Sequence, residues 1–167
     1  YALTGTNSTN YTLTQPSGLT ATIHPRATTV TAVTCTKVYD GTTTAPGTPT
    51  ITPAIIAGDT VASGSQSYQN PDAGIGNKEI IPAVSINDGN GGANYAVTLV
   101  NDATGTITPA PATIMLGNLS AVYDGDAKTV TRVTDPPGLS TTVTYNGSPE
   151  APVNAGSYEV TATITDT

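Results

Sequence analysis

The four residues Val38-Tyr39-Asp40-Gly41 recur as Val122-Tyr123-Asp124-Gly125, an offset of 84. Two further landmarks keep that offset. Asn10-Tyr11 returns as Asn94-Tyr95, and Thr22-Ile23-His24-Pro25 returns as Thr106-Ile107-Thr108-Pro109. A fixed period marks an array of one folding unit, and in 167 residues it leaves room for about two units of ordinary small-domain size. Arrays supply reach, stiffness or repeated contact, so the period turns the expectation away from an enzyme.

The residues between these landmarks favour strands. About one residue in five is Thr, Val and Ile are plentiful, and Phe and Trp are absent; β-branched side chains and Tyr fit pleated surfaces and make poor helices. Apolar residues alternate with polar ones between Gly, Pro, Asn and Asp, and nowhere follow helical spacing. The expected fold class is all-β: tandem immunoglobulin-like antiparallel β-sandwiches, with strands over 29–39, 48–56, 60–68, 78–86, 95–100 and 105–108. Val38, Tyr39, Ile80, Val84, Tyr95, Val97 and Ile107 are the expected core. Asp40-Gly41 and Asp124-Gly125 read as tight turns whose Gly accepts positive φ.

The period also sets the organisation. Residues 1–26 are expected to be the closing strands of a preceding repeat, or strands donated to another molecule, with one strand around Tyr11 and another ending at Ile23. Residues 27–111 form a complete unit, ending in the stiff joint Pro109-Ala110-Pro111. Residues 112–167 open another unit, with strands over 112–116, 119–123 and 140–145, and stop before its closing strands. Both ends fall inside strand-like patterns, so the chain is expected to be a window of something longer.

A net charge of −7 and five scattered basic residues argue against nucleic acid, which needs a basic stripe to displace counterions. No run of about 20 apolar residues offers a membrane span. One Cys gives no intrachain disulfide framework.

The run Lys37-Val38-Tyr39-Asp40-Gly41-Thr42-Thr43-Thr44-Ala45, with Asn94-Tyr95 and Thr106-Ile107-Thr108-Pro109, resembles the YDG repeat of very large bacterial surface proteins, including filamentous-haemagglutinin-like adhesins. Val143-Thr144-Tyr145-Asn146-Gly147 followed by Asn154-Ala155-Gly156-Ser157-Tyr158 is similar to the MBG repeat of the same proteins. The resemblance implies immunoglobulin-like sandwiches on the bacterial cell surface or in secreted fibres. It implies no catalytic residue and no cofactor. Expected partners are neighbouring repeats or copies of the same protein; a glycan- or ligand-binding module of a secreted protein is the other reading.

Several side chains are candidates for chemistry. His24 and Cys35 are the only residues of their types. The repeat replaces them with Thr108 and Leu119, which suggests an apolar slot for Cys35. The loop 87–94 is oxygen-rich like a Ca²⁺ site, with Asp88, Asn90 and Asp102 as candidate ligands, but Ca²⁺ normally wants several carboxylates; a turn is the simpler reading. Lys37 and Asn94 could form an isopeptide bond only beside a buried carboxylate, so Lys37 is expected to be solvated. Tyr11, Tyr68 and Tyr145 are the candidates for exposed, sugar-stacking rings, and Tyr39, Tyr95, Tyr123 and Tyr158 for core. Asn154, Gly156 and Tyr158 have the spacing of a tyrosine corner, in which the Tyr bonds back to the preceding loop.

Overall fold

The computed structural model describes residues 2–165. The chain is all-β and divides into two compact units, the first ending at Thr108 and the second beginning at Pro109.

In the first unit, strands β1 (Arg26–Thr31), β3 (Thr50–Thr52) and β6 (Tyr95–Val100) form one sheet in the order β3-β1-β6. Strands β2 (Thr36–Val38), β4 (Thr60–Tyr68), β5 (Gly74–Asn87) and β7 (Asp102–Thr108) form the other, ordered β2-β7-β5-β4. Val30 of the first sheet and Tyr68, Ile80 and Ile107 of the second are buried, with Ala32 and Ala45 closing the core. Period-2 alternation places Lys78, Ile80, Pro82 and Ile86 on the inner face of β5. Pro82 is tolerated because the β5–β7 ladder ends at Ile80, so its missing N–H breaks no bond to β7.

The antiparallel expectation fails in one respect. The segment expected as one strand over 29–39 leaves the first sheet after β1 and re-enters as β2 in the second. The segment 95–108 makes the same change between β6 and β7. The two segments run side by side in parallel across both sheets: β1 pairs with β6 and β2 with β7. Backbone bonds from Ala32 to Val100 and from Thr106 to Cys35 carry the pairing over the crossing. Parallel neighbours need a long connection between them, and the intervening strands β3, β4 and β5 supply it.

A crossing leaves backbone groups without ladder partners, and buried Gln66 takes them. Its side-chain oxygen accepts from Val33 N (2.9 Å), and its amide donates to Val33 O (2.8 Å) and Pro46 O (2.9 Å).

The second unit contains two antiparallel hairpins: β8 (Thr113–Gly117) with β9 (Thr131–Asp135), and β10 (Thr141–Tyr145) with β11 (Val160–Ile164). After β10 the chain turns through Asn146-Gly147, both at positive φ, as tight hairpin turns require. The strand expected over 119–123 does not form, and β9 was not foreseen. Tyr145 is the one buried large apolar side chain among this unit's described residues.

Residues 2–25 form no strand. The expected strands around Tyr11 and before Pro25 are replaced by a short 3₁₀ turn, Ser8–Asn10, and extended chain with Tyr11, Leu19 and Ile23 exposed.

Candidate functional site

The repeated Tyr-Asp-Gly turn is a polar staple in both units. In the first, Lys37 Nζ donates to Asp40 Oδ1 (2.7 Å), Thr42 O (2.7 Å) and Thr42 Oγ1 (2.9 Å), and Thr42 N donates to Asp40 Oδ1 (2.9 Å). The Lys37 ammonium, followed by the amide and hydroxyl of Thr42, lowers the Asp40 carboxyl to about 2. The Lys37 side chain is not the solvated one expected: it is 11% exposed and its ammonium lies 5.8 Å from the Tyr68 ring centroid. In the second unit Asp124 accepts from Asp126 N (3.0 Å) and from Lys128 Nζ, chiefly the latter holding its carboxyl down. The lysine comes from before the turn in one unit and after it in the other. Gly41 and Gly125 both hold positive φ.

Four tyrosines are sorted opposite to expectation, while Tyr11 is exposed and Tyr95 buried as expected. Tyr68 and Tyr145, candidates for exposed rings, are buried; Tyr39 and Tyr123, candidates for core, are exposed. Val38 and Val97 are also exposed and Val84 is half-buried, whereas Ile80, Tyr95 and Ile107 lie in the core as expected. Position explains the sorting. Tyr68 and Tyr145 end strands whose inner face they share, while Tyr39 and Tyr123 sit at the mouths of the Asp-Gly turns.

Each buried ring uses its hydroxyl on a neighbouring segment. The Tyr68 hydroxyl lies against the carbonyls of Cys35 (2.8 Å) and Thr106 (3.0 Å), and the Cys35 thiol donates to it (3.3 Å). Burial, then the Cys35 thiol, pushes the Tyr68 phenol well up. Tyr95 accepts from Ile56 N (2.8 Å) and donates to Asp59 Oδ2 (2.6 Å), and Asp59 raises its phenol. Tyr145 accepts from Val130 N (3.0 Å). Half-buried Tyr158 donates to Asn154 O (2.9 Å), closing the loop that contains Gly156.

The remaining candidates are occupied in other ways. Asp88 Oδ1 accepts from the amides of Asn90 (2.8 Å) and Gly92 (2.7 Å), and Oδ2 from that of Asn94 (2.9 Å). Burial raises the Asp88 carboxyl, but these amides together outweigh it and hold the group low. Asn90 donates to Asn94, and Asp102 caps the amide and hydroxyl of Thr104. Among the described residues no group of three or more His, Cys, Asp or Glu is placed to hold a metal. Cys35 is half-buried against the core, while Leu119, its repeat counterpart, is exposed instead of filling an apolar slot. His24 is exposed in the extended segment before β1.

One cleft of about 430 Å³ lies within the second unit. One wall is the unpaired run 118–123 with exposed Leu119, Val122 and Tyr123; the other is the run 152–160, including Asn154, Tyr158 and Val160. Its floor includes Val130 and Tyr145. The motifs did not single out this cleft, although the offset of 84 that aligns its first wall with β2 was available. Gln66 was missed too; the available signal was a polar residue on the same face of strand 60–68 as Tyr68.

Residues 24–105 match the family model of the YDG domain, and residues 112–167 that of the MBG domain. The chain is a YDG domain followed by an MBG domain. Neither the curated proteins nor the solved structures offer a match. The YDG match contains all of β1 to β6 and the buried Gln66–Tyr68 seam; the MBG match contains the cleft.

Proposed function

We infer that this chain is a structural segment of a bacterial cell-surface or extracellular fibre protein of the adhesin type, acting as stalk or spacer. The observation that carries this reading is the tandem order itself: two small all-β domains of repeat type, with only residues 106–111 between the two family matches. The polar groups support a mechanical role. The Asp40, Asp88, Asp102 and Asp124 carboxylates each bind local backbone amides, so the acids fix turns.

Antibodies raised to the purified chain test the location. They should label intact producing cells or shed fibres; labelling only after lysis would contradict the reading. A glycan array tests the stalk role against the binding-module role. The expected result is no saturable binding, whereas saturable binding lost on Tyr123→Ala would favour a ligand-binding module.

A further inference from the structure

The chain enters the sheets of the YDG unit at Arg26, the first residue of β1, and leaves them at Thr108, the last of β7. These ends belong to the companion segments 26–39 and 94–108, which run in parallel. Arg26 lies opposite Tyr95 and Thr31 opposite Val100; Thr36 lies opposite Thr106 and Val38 opposite Thr108. In a parallel pair the start of one strand and the end of the other fall at opposite ends of the ladder. Arg26 and Thr108 are therefore at opposite ends of one ladder. Tension drawn through the unit from Pro25 to Pro109 slides the two segments past each other and loads every bond between them at once. An antiparallel pair of terminal strands would place entry and exit at the same end, and tension would open it bond by bond.

The two segments are bonded from end to end. Arg26 N donates to Asn94 O (2.8 Å) at one end and Tyr39 N to Thr108 O (2.8 Å) at the other. Where the segments cross between sheets, Ala32 N donates to Val100 O (2.9 Å) and Thr106 N to Cys35 O (3.0 Å). Side chains add to the ladder: Thr108 Oγ1 donates to Lys37 O (3.3 Å) and Thr104 Oγ1 to Thr34 Oγ1 (3.1 Å). From β4, outside the pair, the buried Tyr68 hydroxyl lies against one carbonyl of each segment, Cys35 O (2.8 Å) and Thr106 O (3.0 Å). Each segment is also held on its far side, β1 by β3 and β7 by β5.

We propose that the paired segments 26–39 and 94–108 are a shear clamp, which lets the YDG unit bear tension between the residues before β1 and those after β7. Force is work divided by distance. A bond opened by peeling frees about two residues of each strand, roughly 7 Å of each, so a small force does the work of breaking it. In shear the work for the whole ladder is demanded within about one hydrogen-bond length, ~3 Å. The sheared ladder therefore withstands several times the force that peels it. This deepens the stalk reading and rests on it only for its biological use.

The test pulls the full chain by cysteine handles in an optical trap, with Cys35→Ala removing the native thiol. Handles at His24→Cys and Ala112→Cys load the YDG unit through its two ends. Handles at His24→Cys and Ala93→Cys grip the same ladder at one end, where Arg26 meets Asn94, and peel it. His24, Ala93 and Ala112 are exposed, so the handles leave the core intact. Forced unfolding follows the unfolding rate, so both pairs are pulled at one loading rate. The first pair should need at least about threefold the force of the second. Tyr68→Phe, which keeps the ring and removes the hydroxyl, should lower the force for the first pair and leave the onset of peeling at Arg26 unchanged. Equal forces for the two pairs, or a Tyr68→Phe effect that is absent or the same in both, would overturn the proposal. The stalk reading would survive that failure, since surface labelling and the glycan array measure nothing mechanical.

Discussion

Tyr68 shows how much one ring does when a chain has no Phe or Trp. It fills the YDG core while its hydroxyl serves the crossing from β1 to β2. An unfolded tyrosine ionises near pH 10, whereas buried Tyr68 keeps its proton to higher pH. Above about pH 10 the unfolded state therefore holds fewer protons, and stability falls as pH rises. Tyr68→Phe should flatten that alkaline loss in denaturant titrations; an unchanged slope would contradict the assignment. Truncating Tyr95 to Ala should cost about 3–5 kcal/mol, the range for deleting a buried aromatic ring, measured by the urea midpoint. Gly105 is a close-approach site: an added Cβ would meet Ile80, the Lys78 carbonyl and the Tyr68 ring, all within 2.9 Å. Gly105→Ala should cost about 1–3 kcal/mol by overpacking, read as a lower thermal midpoint.

At the scale of the element, the decisive feature is the pair of companion segments that cross between sheets together. Gln66 makes the crossing affordable by bonding both backbone groups of Val33. Gln66→Ala should cost about 1–3 kcal/mol for each buried group left unpaired. Gln66→Glu should restore less than the native amide because a carboxylate cannot donate to Val33 O; urea titration of both variants checks the order. The Tyr-Asp-Gly turn has an acid signature. Its carboxyl falls from the ordinary 3.8 to about 2 in the folded turn, so its contribution is full above the unfolded value and is lost as pH drops through the folded one. NMR titration should place the Asp40 midpoint near that lower value, and Asp40→Asn should remove the acid dependence of the turn's amide shifts.

Most elements of the YDG unit were legible from alternation and turn residues: β4 and β6 occupy the expected ranges, and Ile80, Tyr95 and Ile107 the expected core. The sheet crossing was not legible. Alternation continues through 32–35, and the device that breaks it is a side chain 33 residues away. Tyr68 and Tyr145 were misjudged because a tyrosine's burial depends on which sheet face it ends, which spacing alone leaves open. Residues 10–25 carry strand chemistry but form no strand, because alternation names a candidate strand without naming the ladder that would hold it.

At the scale of the whole molecule, the YDG and MBG domains share the Tyr-Asp-Gly turn and differ in what pairs beside it. In the YDG unit β2 is paired with β7, whereas 120–122 of the MBG unit belongs to no strand among the described residues. Hydrogen exchange of the full chain at high dilution tests this contrast most directly. The account predicts strong protection of amides in β2, β7 and 78–82, and fast exchange at 120–122 and along the β11 edge that faces the cleft. Equal protection of 36–38 and 120–122 in a dilute monomer would contradict it.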